Sequence, residues 1–146
     1  MSSNGFTDSE SSDFERDGYF VARALFNEEE TDLLRKIAKA DQAIVDGADE
    51  RLDQDGNVSR IALCNNLGED IYSAIARSER MVTRMEQLLG GEVYHYHHKM
   101  SQKEPRVGGA WEWHQDYGYW YDNGCLFPYM ASCMTVSYTH LRAHET

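Results

Sequence analysis

The sequence predicts one α+β to mainly β domain that begins with helices. Its 146 residues are enough to build one hydrophobic core, and a hydrophobic content of 41% with 12% aromatic residues is typical of globular proteins. Helix-start signals are concentrated near the N-terminus, whereas runs with the alternation or composition of strands recur along the rest of the chain. These features together predict N-terminal helices followed by a β-rich region.

Two N-terminal helices are predicted from their caps. Residues 7–10, Thr-Asp-Ser-Glu, match a capping box, and Gly18 is the expected end of the helix that follows. Asn27 precedes three glutamates, which the helix dipole favours, and apolar residues at helical spacing extend this second helix to about Val45. Between the helices, residues 19–25 have the composition of a strand.

The middle of the chain is predicted to alternate between loops, short strands and helices. Residues 46–59 are rich in Asp, Gly and Asn and are predicted as a surface loop. Residues 53–57 resemble a calcium loop, but the glutamate required at its last position is missing. The remaining predictions are strands over 61–67, 93–100 and 128–135, helices over 70–76 and 79–89, and a turn over 122–125.

Charge and cysteine usage narrow the function classes. The formal net charge is −11, and the first 70 residues carry 17 acidic but only 7 basic side chains, so no nucleic-acid partner is expected. Cys64, Cys125 and Cys133 form an odd, widely spaced set, which argues against a disulfide framework and for a reducing cytoplasm. No stretch is apolar enough to span a membrane or to act as a secretion signal, so no membrane partner is expected.

The strongest chemical signal is a histidine and an aspartate inside the aromatic run 111–120. On an extended backbone residues two apart point to the same side, so His114 and Asp116 are expected to converge while Gln115 points away. An imidazole with a carboxylate begins the 2-His-1-carboxylate triad that binds Fe(II) in non-haem oxygenases. Such pairs are also common as surface polar residues or helix caps. Whether His114 and Asp116 indicate an iron site therefore depends on the surrounding sequence.

That surrounding sequence resembles the phytanoyl-CoA dioxygenase family, including its ectoine-hydroxylase-like members. The shared segments are residues 14–21, 25–30, 98–100, 103–105, 108–109 and 113–120. The resemblance implies an incomplete double-stranded β-helix, a cupin-type jelly roll, with residues 1–135 as the N-terminal part of one oxygenase domain. It also implies Fe(II) and 2-oxoglutarate as cofactor and cosubstrate, with O₂ used to hydroxylate an aliphatic C–H of a small molecule.

The resemblance also assigns expected roles to individual residues. His114 as a neutral imidazole and Asp116 as a carboxylate are the expected iron ligands, and Lys99 is a candidate to bind a carboxylate. Tyr117 and Trp120 stand where relatives contact substrate. Alternation along the strand 93–100 places His95, His97 and Lys99 on one face, lining the cavity, and His98 on the other. A separate metal site among these histidines is not expected, because one strand cannot surround an ion.

The sequence allows two alternatives to a dioxygenase function. A cupin-like binding or scaffold domain without turnover is the main alternative, and a histidine followed about a dozen residues later by an arginine would favour the enzyme instead. A related halogenase needs Ala or Gly in place of the carboxylate so that halide can bind, and Asp116 argues against it.

Residues 136–146 are expected to be a non-native tail. They do not continue the family pattern, and they look like one reading frame of a sequencing adapter. Only 23 residues separate Asp116 from His140, whereas family members interpose several more strands. His140 and Arg142 are therefore not expected to be the distal ligand and the 2-oxoglutarate arginine, and the chain is expected to be inactive by itself.

Deleting residues 136–146 should leave the affinity of the chain for Fe(II) unchanged, because a ligand on a frayed terminus contributes little. Anaerobic titration of the two chains with Fe(II) measures this directly. A marked fall in affinity after the deletion would show that the tail takes part in the site.

Overall fold

The computed structural model describes residues 5–41, 46–103 and 113–136. The helices are α1 (Asp8–Asp17), α2 (Glu28–Ala40), α3 (Ile71–Ala76), α4 (Glu79–Leu89) and α5 (Asp116–Asp122). The strands are β1 (Asp49–Leu52), β2 (Val58–Cys64) and β3 (His98–Lys103). Within these ranges, every helix is too short or too polar to cross a membrane.

Both N-terminal helices begin with a capping box, which the sequence predicts at Thr7; at Asn27 it predicts only the cap. The Thr7 hydroxyl accepts from the Glu10 backbone N–H at 3.3 Å, and the Glu10 carboxylate accepts from the Thr7 N–H at 2.8 Å. The same reciprocal pair joins Asn27 and Glu30, at 2.9 and 2.8 Å. Gly18 ends α1 with φ of +77°, a left-handed conformation that glycine adopts without steric cost.

Helix α4 contacts the start of α2 through one arginine. Arg80 donates to both oxygens of Glu30, at 2.6 and 3.0 Å, and to the carbonyl of Leu25 at 2.8 Å. Its guanidinium carbon lies 4.5 Å from the centre of the Phe26 ring, the residue just before the Asn27 cap. The arginine therefore contacts the cap, its glutamate and the preceding aromatic ring together.

One turn further along α4, a second arginine makes the same kind of contact with α1. Arg84 donates to the Glu10 carboxylate at 3.3 Å and lies 5.5 Å from the Phe6 ring, which precedes the Thr7 cap. The Phe6 backbone N–H also donates to the Gln87 side chain of α4 at 2.7 Å. Residues four apart share one face of a helix, so α4 holds both N-terminal helices from the same side.

The three strands form one antiparallel sheet in the order β1-β2-β3. Along β3, His98, Met100 and Gln102 are half-buried, whereas Lys99, Ser101 and Lys103 are exposed. Gln102 donates to the Ala38 carbonyl of α2 at 3.1 Å, so its face of the sheet meets α2. Among the described residues the buried apolar side chains are Leu34 of α2, Ala62 of β2 and Met81 of α4.

Residues 19–25 do not form the strand predicted for them. They are irregular, and Ala24 has φ of +53°. Phe20 packs edge-on against Phe6 at 4.6 Å, while Tyr19 and Val21 are exposed. A strand needs a hydrogen-bonding neighbour, and in the described part of the chain this segment is held by ring packing and by the Arg80 bond to Leu25 instead.

The predicted surface loop over 46–59 is largely a β-hairpin. All of β1 and the start of β2 lie in it, and the loop shrinks to a turn at 53–57 in which the Asp53 carboxylate accepts from Asp55 and Asn57 backbone N–H groups. Every residue of β1, Asp-Glu-Arg-Leu, is exposed, and the segment lacks the alternation of apolar and polar residues that would predict a strand. Backbone pairing with β2, from Asp49↔Ile61 to Leu52↔Val58, creates this strand.

Other element boundaries also differ from the prediction. Helix α2 ends at Ala40, with Asp41 extended, and the predicted continuation over 42–45 lies outside the described residues. The strand predicted at 61–67 is β2, Val58–Cys64, and the strand predicted at 93–100 begins only at His98. Residues 128–135 are irregular. The bounds of β2 and β3 follow their mutual register, from Ser59↔Lys103 to Cys64↔His98, and not their own composition.

The remaining helices agree closely with the sequence. Asp70 caps α3 by accepting from the Ser73 backbone N–H at 2.7 Å, and Gly90 ends α4 in the left-handed region. The Ser78 hydroxyl does not cap α4; it donates to the Ile75 carbonyl at 2.8 Å. The described fold is thus a small α+β arrangement of three strands and five helices, and the double-stranded β-helix stays a prediction.

Replacing Arg84 with alanine should lower the free energy of unfolding by about 2 kcal/mol, because Glu10 would lose a charge-assisted partner in a largely buried setting. Arg77→Ala is the matched control, since that arginine makes only an exposed 3.8 Å contact with Glu69 and should matter little. Urea denaturation compares the two variants. Equal effects would show that the Arg84 contact carries no special weight.

Acid should weaken the attachment of α2 to α4. The bonds from Arg80, and then that from the Asn27 N–H, hold the pKa of Glu30 at about 2, below its usual 4.5. The folded chain therefore binds fewer protons than the unfolded chain between these values. The contribution of this group is complete above about pH 4.5 and is lost as the pH falls toward 2.

The Glu30→Gln variant measures that contribution. It should start less stable at pH 7 and lose less stability than the parent chain between pH 5 and pH 3, with the other low-pKa carboxylates, Glu10 and Asp70, still titrating in both. Urea midpoints at each pH give the comparison. Parallel curves for the two chains would contradict the assignment of this pKa shift to Glu30.

Candidate metal centre

Helix α5 begins within the aromatic run, at the candidate metal ligands. Gln115 is its N-cap, and the Gln115 side-chain oxygen accepts from the Tyr117 backbone N–H at 3.2 Å. Asp116 is the first helical residue, where the helix dipole favours a carboxylate. His114 precedes the cap and lies just outside the helix. The cap therefore occupies the Gln115 side chain and leaves His114 and Asp116 on either side of it.

The two predicted ligands come together. His114 Nε2 lies 3.1 Å from Asp116 Oδ1, and the side chains are 54% and 71% exposed. Two ligand atoms that each lie about 2.1 Å from a metal ion, at right angles, are about 3 Å apart, so this spacing fits two adjacent ligands of one ion. An imidazole and a carboxylate are also two of the three protein ligands in the facial triad. The pair therefore fits iron, although the same distance also allows a direct hydrogen bond.

The backbone that brings these ligands together is not the strand that was expected. Residues 113–115 are irregular, and the chain turns helical at Asp116. Gln115, the cap between them, is extended, with φ of −108° and ψ of 113°. Asp116 is the first residue of the helix, and its carboxylate lies beside the His114 ring on the N-terminal side of the cap. Trp113, which directly precedes His114, is fully exposed.

The aromatic residues of α5 divide between two faces. Trp120 follows Asp116 by four positions, so it shares the helix face of the candidate ligand. Tyr117 lies instead near Tyr121, with ring centres 6.2 Å apart, and burial raises the pKa of its phenol. Of the two predicted substrate contacts, Trp120 is therefore the one placed on the same face as Asp116.

The Trp120 indole is enclosed by groups from two parts of the chain. Tyr96 and His97 contact it from the segment before β3, with ring centres 5.2 and 4.8 Å away. Tyr119 of its own helix is 5.0 Å away, and Lys99 Nζ lies 5.7 Å from the indole centre. The predicted cosubstrate group Lys99 and the predicted substrate contact Trp120 are thus neighbours.

The histidines before β3 are arranged only partly as predicted. His97 and Lys99 both reach Trp120, as alternation requires, and His98 lies on the opposite, half-buried face. His95 departs from the pattern: its Nε2 is 3.1 Å from His98 Nδ1. The segment is irregular before His98, so strict alternation does not hold there. Burial, with the nearby His98 as a second cause, lowers the pKa of His95.

A third metal donor is not present beside His114 and Asp116 in the described ranges, where no group of three or more His, Cys, Asp or Glu side chains is arranged to hold an ion. The turn at 53–57, which superficially resembles a calcium loop, likewise forms no such group. Within the described part of the chain, the candidate centre comprises His114 and Asp116 at an exposed helix start.

Residues 14–144 match the family model of phytanoyl-CoA dioxygenase. The chain belongs to the phytanoyl-CoA dioxygenase family. The match includes the start of α2, β3 and the His114–Asp116 pair, which lie in segments on which the predicted resemblance rested. It also extends into residues 136–146, predicted as a non-native tail. Residues 137–146 lie outside the described part of the chain, and their origin stays a prediction.

Relatives of this chain are named as a hydroxylase and as dioxygenases. The L-proline trans-4-hydroxylase of Streptomyces griseoviridis is 40% identical over 53 residues, which are 36% of this chain and 20% of the relative. The ectoine dioxygenases of Stutzerimonas stutzeri and Halomonas elongata are 27% and 30% identical over 111 residues, or 74% of this chain. These alignments cover 37% and 33% of the two ectoine dioxygenases, so the chain spans about a third of their length.

One group that contacts the candidate site has no predicted individual role. His97 is expected to line a cavity, but nothing in the sequence indicates that it would stack on Trp120, because 22 residues separate the two and no periodicity links them. In this member of the phytanoyl-CoA dioxygenase family, only tertiary packing brings the two rings together.

Proposed function

We propose that this chain is the N-terminal part of an Fe(II)- and 2-oxoglutarate-dependent dioxygenase that hydroxylates an aliphatic C–H of a small molecule. The observation that carries the proposal is the 3.1 Å approach of His114 and Asp116 within a chain that matches the family. The hydroxylase and dioxygenase names of the relatives support the reaction class. The full domain is proposed to be a cupin-type jelly roll, of which the three-stranded sheet is one portion.

In this proposal His114 and Asp116 hold two adjacent positions on the iron. His114 binds as a neutral imidazole, and Asp116 binds through one carboxylate oxygen, which leaves its charge to offset that of the metal. Gln115 fixes the helix start and thereby the spacing of the two ligands. Bound Fe(II) would supply oxidising chemistry from O₂, with 2-oxoglutarate as the source of the remaining electrons.

Lys99 and Trp120 are proposed to form the adjoining part of the binding site. Lys99 is exposed and has no carboxylate within ion-pairing distance among the described residues, so its ammonium can accept an anionic group of 2-oxoglutarate. Trp120 shares the Asp116 face of α5 and offers an apolar wall to a small substrate. Tyr117, on the neighbouring face with Tyr121, is proposed to contact substrate from the side.

The second histidine and the 2-oxoglutarate arginine are proposed to lie in the part of the family sequence that the alignments do not cover. Residues 1–135 would form the first part of the oxygenase domain, and residues 136–146, with His140 and Arg142, would not contribute to the site. The chain alone is therefore proposed to be inactive. Its partners in a completed enzyme are the small substrate and O₂, with no nucleic acid or membrane.

A non-catalytic cupin-like binding domain is the second candidate. The exposure of both ligands, 54% and 71%, favours it, because a facial-triad site that turns over works in a cavity sheltered from water. The two functions differ in whether iron binding leads to consumption of 2-oxoglutarate.

In a completed version of the protein, His114→Ala and Asp116→Ala should each reduce substrate-coupled 2-oxoglutarate turnover by more than about 100-fold, since loss of a direct ligand exceeds the usual cost of disturbing its supports. Asp122→Ala is the matched control, because that carboxylate lies at the other end of α5. Succinate and hydroxylated product are measured together. Substantial coupled activity in both ligand variants would rule out this iron site, and an iron-binding protein without turnover would favour the binding domain.

A further inference from the structure

The Trp120 indole is held differently by each of its neighbours. Tyr96 and Tyr119 approach it edge-on, with interplanar angles of 90° and 82°. His97 lies closest, with ring centres 4.8 Å apart and planes inclined by only 36°, so it is the neighbour that covers a face of the indole. It also comes from a different element. His97 is therefore suited to fix the orientation of Trp120 relative to the sheet.

The charge state of His97 matters for this contact. The His97 ring is half-buried, and Lys99, which lies beside the same indole, is two residues away. Burial and then the Lys99 charge lower the pKa of His97 below its usual 6.5. The charged or titratable groups around it are His95, Tyr96, His98 and Lys99 from its own segment, and Tyr119 from α5 beside the shared indole. Of these, His95, His98 and Lys99 are cationic when charged.

We propose that His97 is a positioning residue that holds the Trp120 indole against the substrate, and that it does so as the neutral imidazole. This rests on the proposed function, because it assigns Trp120 to the substrate wall. Protonation of His97 places a second cation beside Lys99 and next to one indole, in a half-buried position where like charges repel strongly. The stack then loosens, and Trp120 loses the orientation that the site requires.

The effect can be read on the chain itself, without iron or 2-oxoglutarate. In a Trp111→Phe, Trp113→Phe background, Trp120 is the single tryptophan. Its near-UV circular dichroism reports how firmly the indole is held, and its fluorescence reports quenching by a nearby imidazolium. Lowering the pH from 8 to 5 should weaken both signals in one step, with a midpoint below 6.5.

Three further substitutions in this background separate positioning from general stability. His97→Phe keeps a stacking ring that cannot titrate, so the near-UV signal should persist and the pH step should vanish. His97→Ala should lose much of the near-UV signal at every pH. His95→Ala is the matched control, because His95 contacts His98 on the other side of the segment, and the pH step should remain. Far-UV circular dichroism shows whether each variant is folded.

The proposal is overturned if His97→Phe keeps the pH step, or if His95→Ala removes it. An unchanged near-UV signal in folded His97→Ala would also overturn it; if that variant unfolds, the comparison of His97→Phe with the parent chain decides. Because none of these signals depends on turnover, they test the positioning role even where the iron assignment fails. In an active full-length protein, His97→Ala should then raise KM for the substrate more than it lowers kcat.

Discussion

The described structure depends on two arginines that lie four residues apart on α4. Arg80 and Arg84 each bind the glutamate of a helix capping box, Glu30 and Glu10, and each lies over the phenylalanine before that cap. Helices of 10 and 13 residues are marginal without such support. Few apolar side chains are buried in the described ranges. Charge-assisted hydrogen bonds at the helix starts therefore contribute a larger share of the interactions that hold α1 and α2 against α4.

A short series of contacts connects these two arginines with the candidate metal centre. Helix α2, held by Arg80, receives the Gln102 bond from β3, which orients the sheet. The opposite face of β3 presents Lys99, and the segment just before it presents His97; both contact Trp120. Trp120 stands one helical turn after Asp116. The position of a candidate ligand is thereby linked to the N-terminal helices through packed side chains.

The candidate centre itself combines a well-defined local geometry with an exposed setting. A 3.1 Å pair of unlike donors is compatible with one ion, but the facial triad of the proposed dioxygenase also has a second histidine and a site sheltered from water. Family membership makes the dioxygenase the better-supported function, since relatives of the chain are named as a hydroxylase and as dioxygenases. Those relatives extend well beyond the matched range, which is where the proposal places the remaining ligands.

The sequence by itself determined the features that depend on neighbours within four residues. The capping boxes at Thr7 and Asn27, the glycine end of α1 and the convergence of His114 with Asp116 all arise from groups close together in the chain. His114 and Asp116 converge although the backbone at Asp116 is helical and not extended as predicted, because one intervening residue limits how far the two side chains can separate.

Only the tertiary structure decided the features that need a distant partner. The polar β1 became a strand because β2 offered it hydrogen bonds, and residues 19–25 stayed irregular although their composition favours a strand. His95 turned to His98, and His97 stacked on an indole 23 positions later. Strand pairing and ring stacking join groups whose separation in sequence has no fixed period. Local propensity therefore cannot specify them, and packing in three dimensions does.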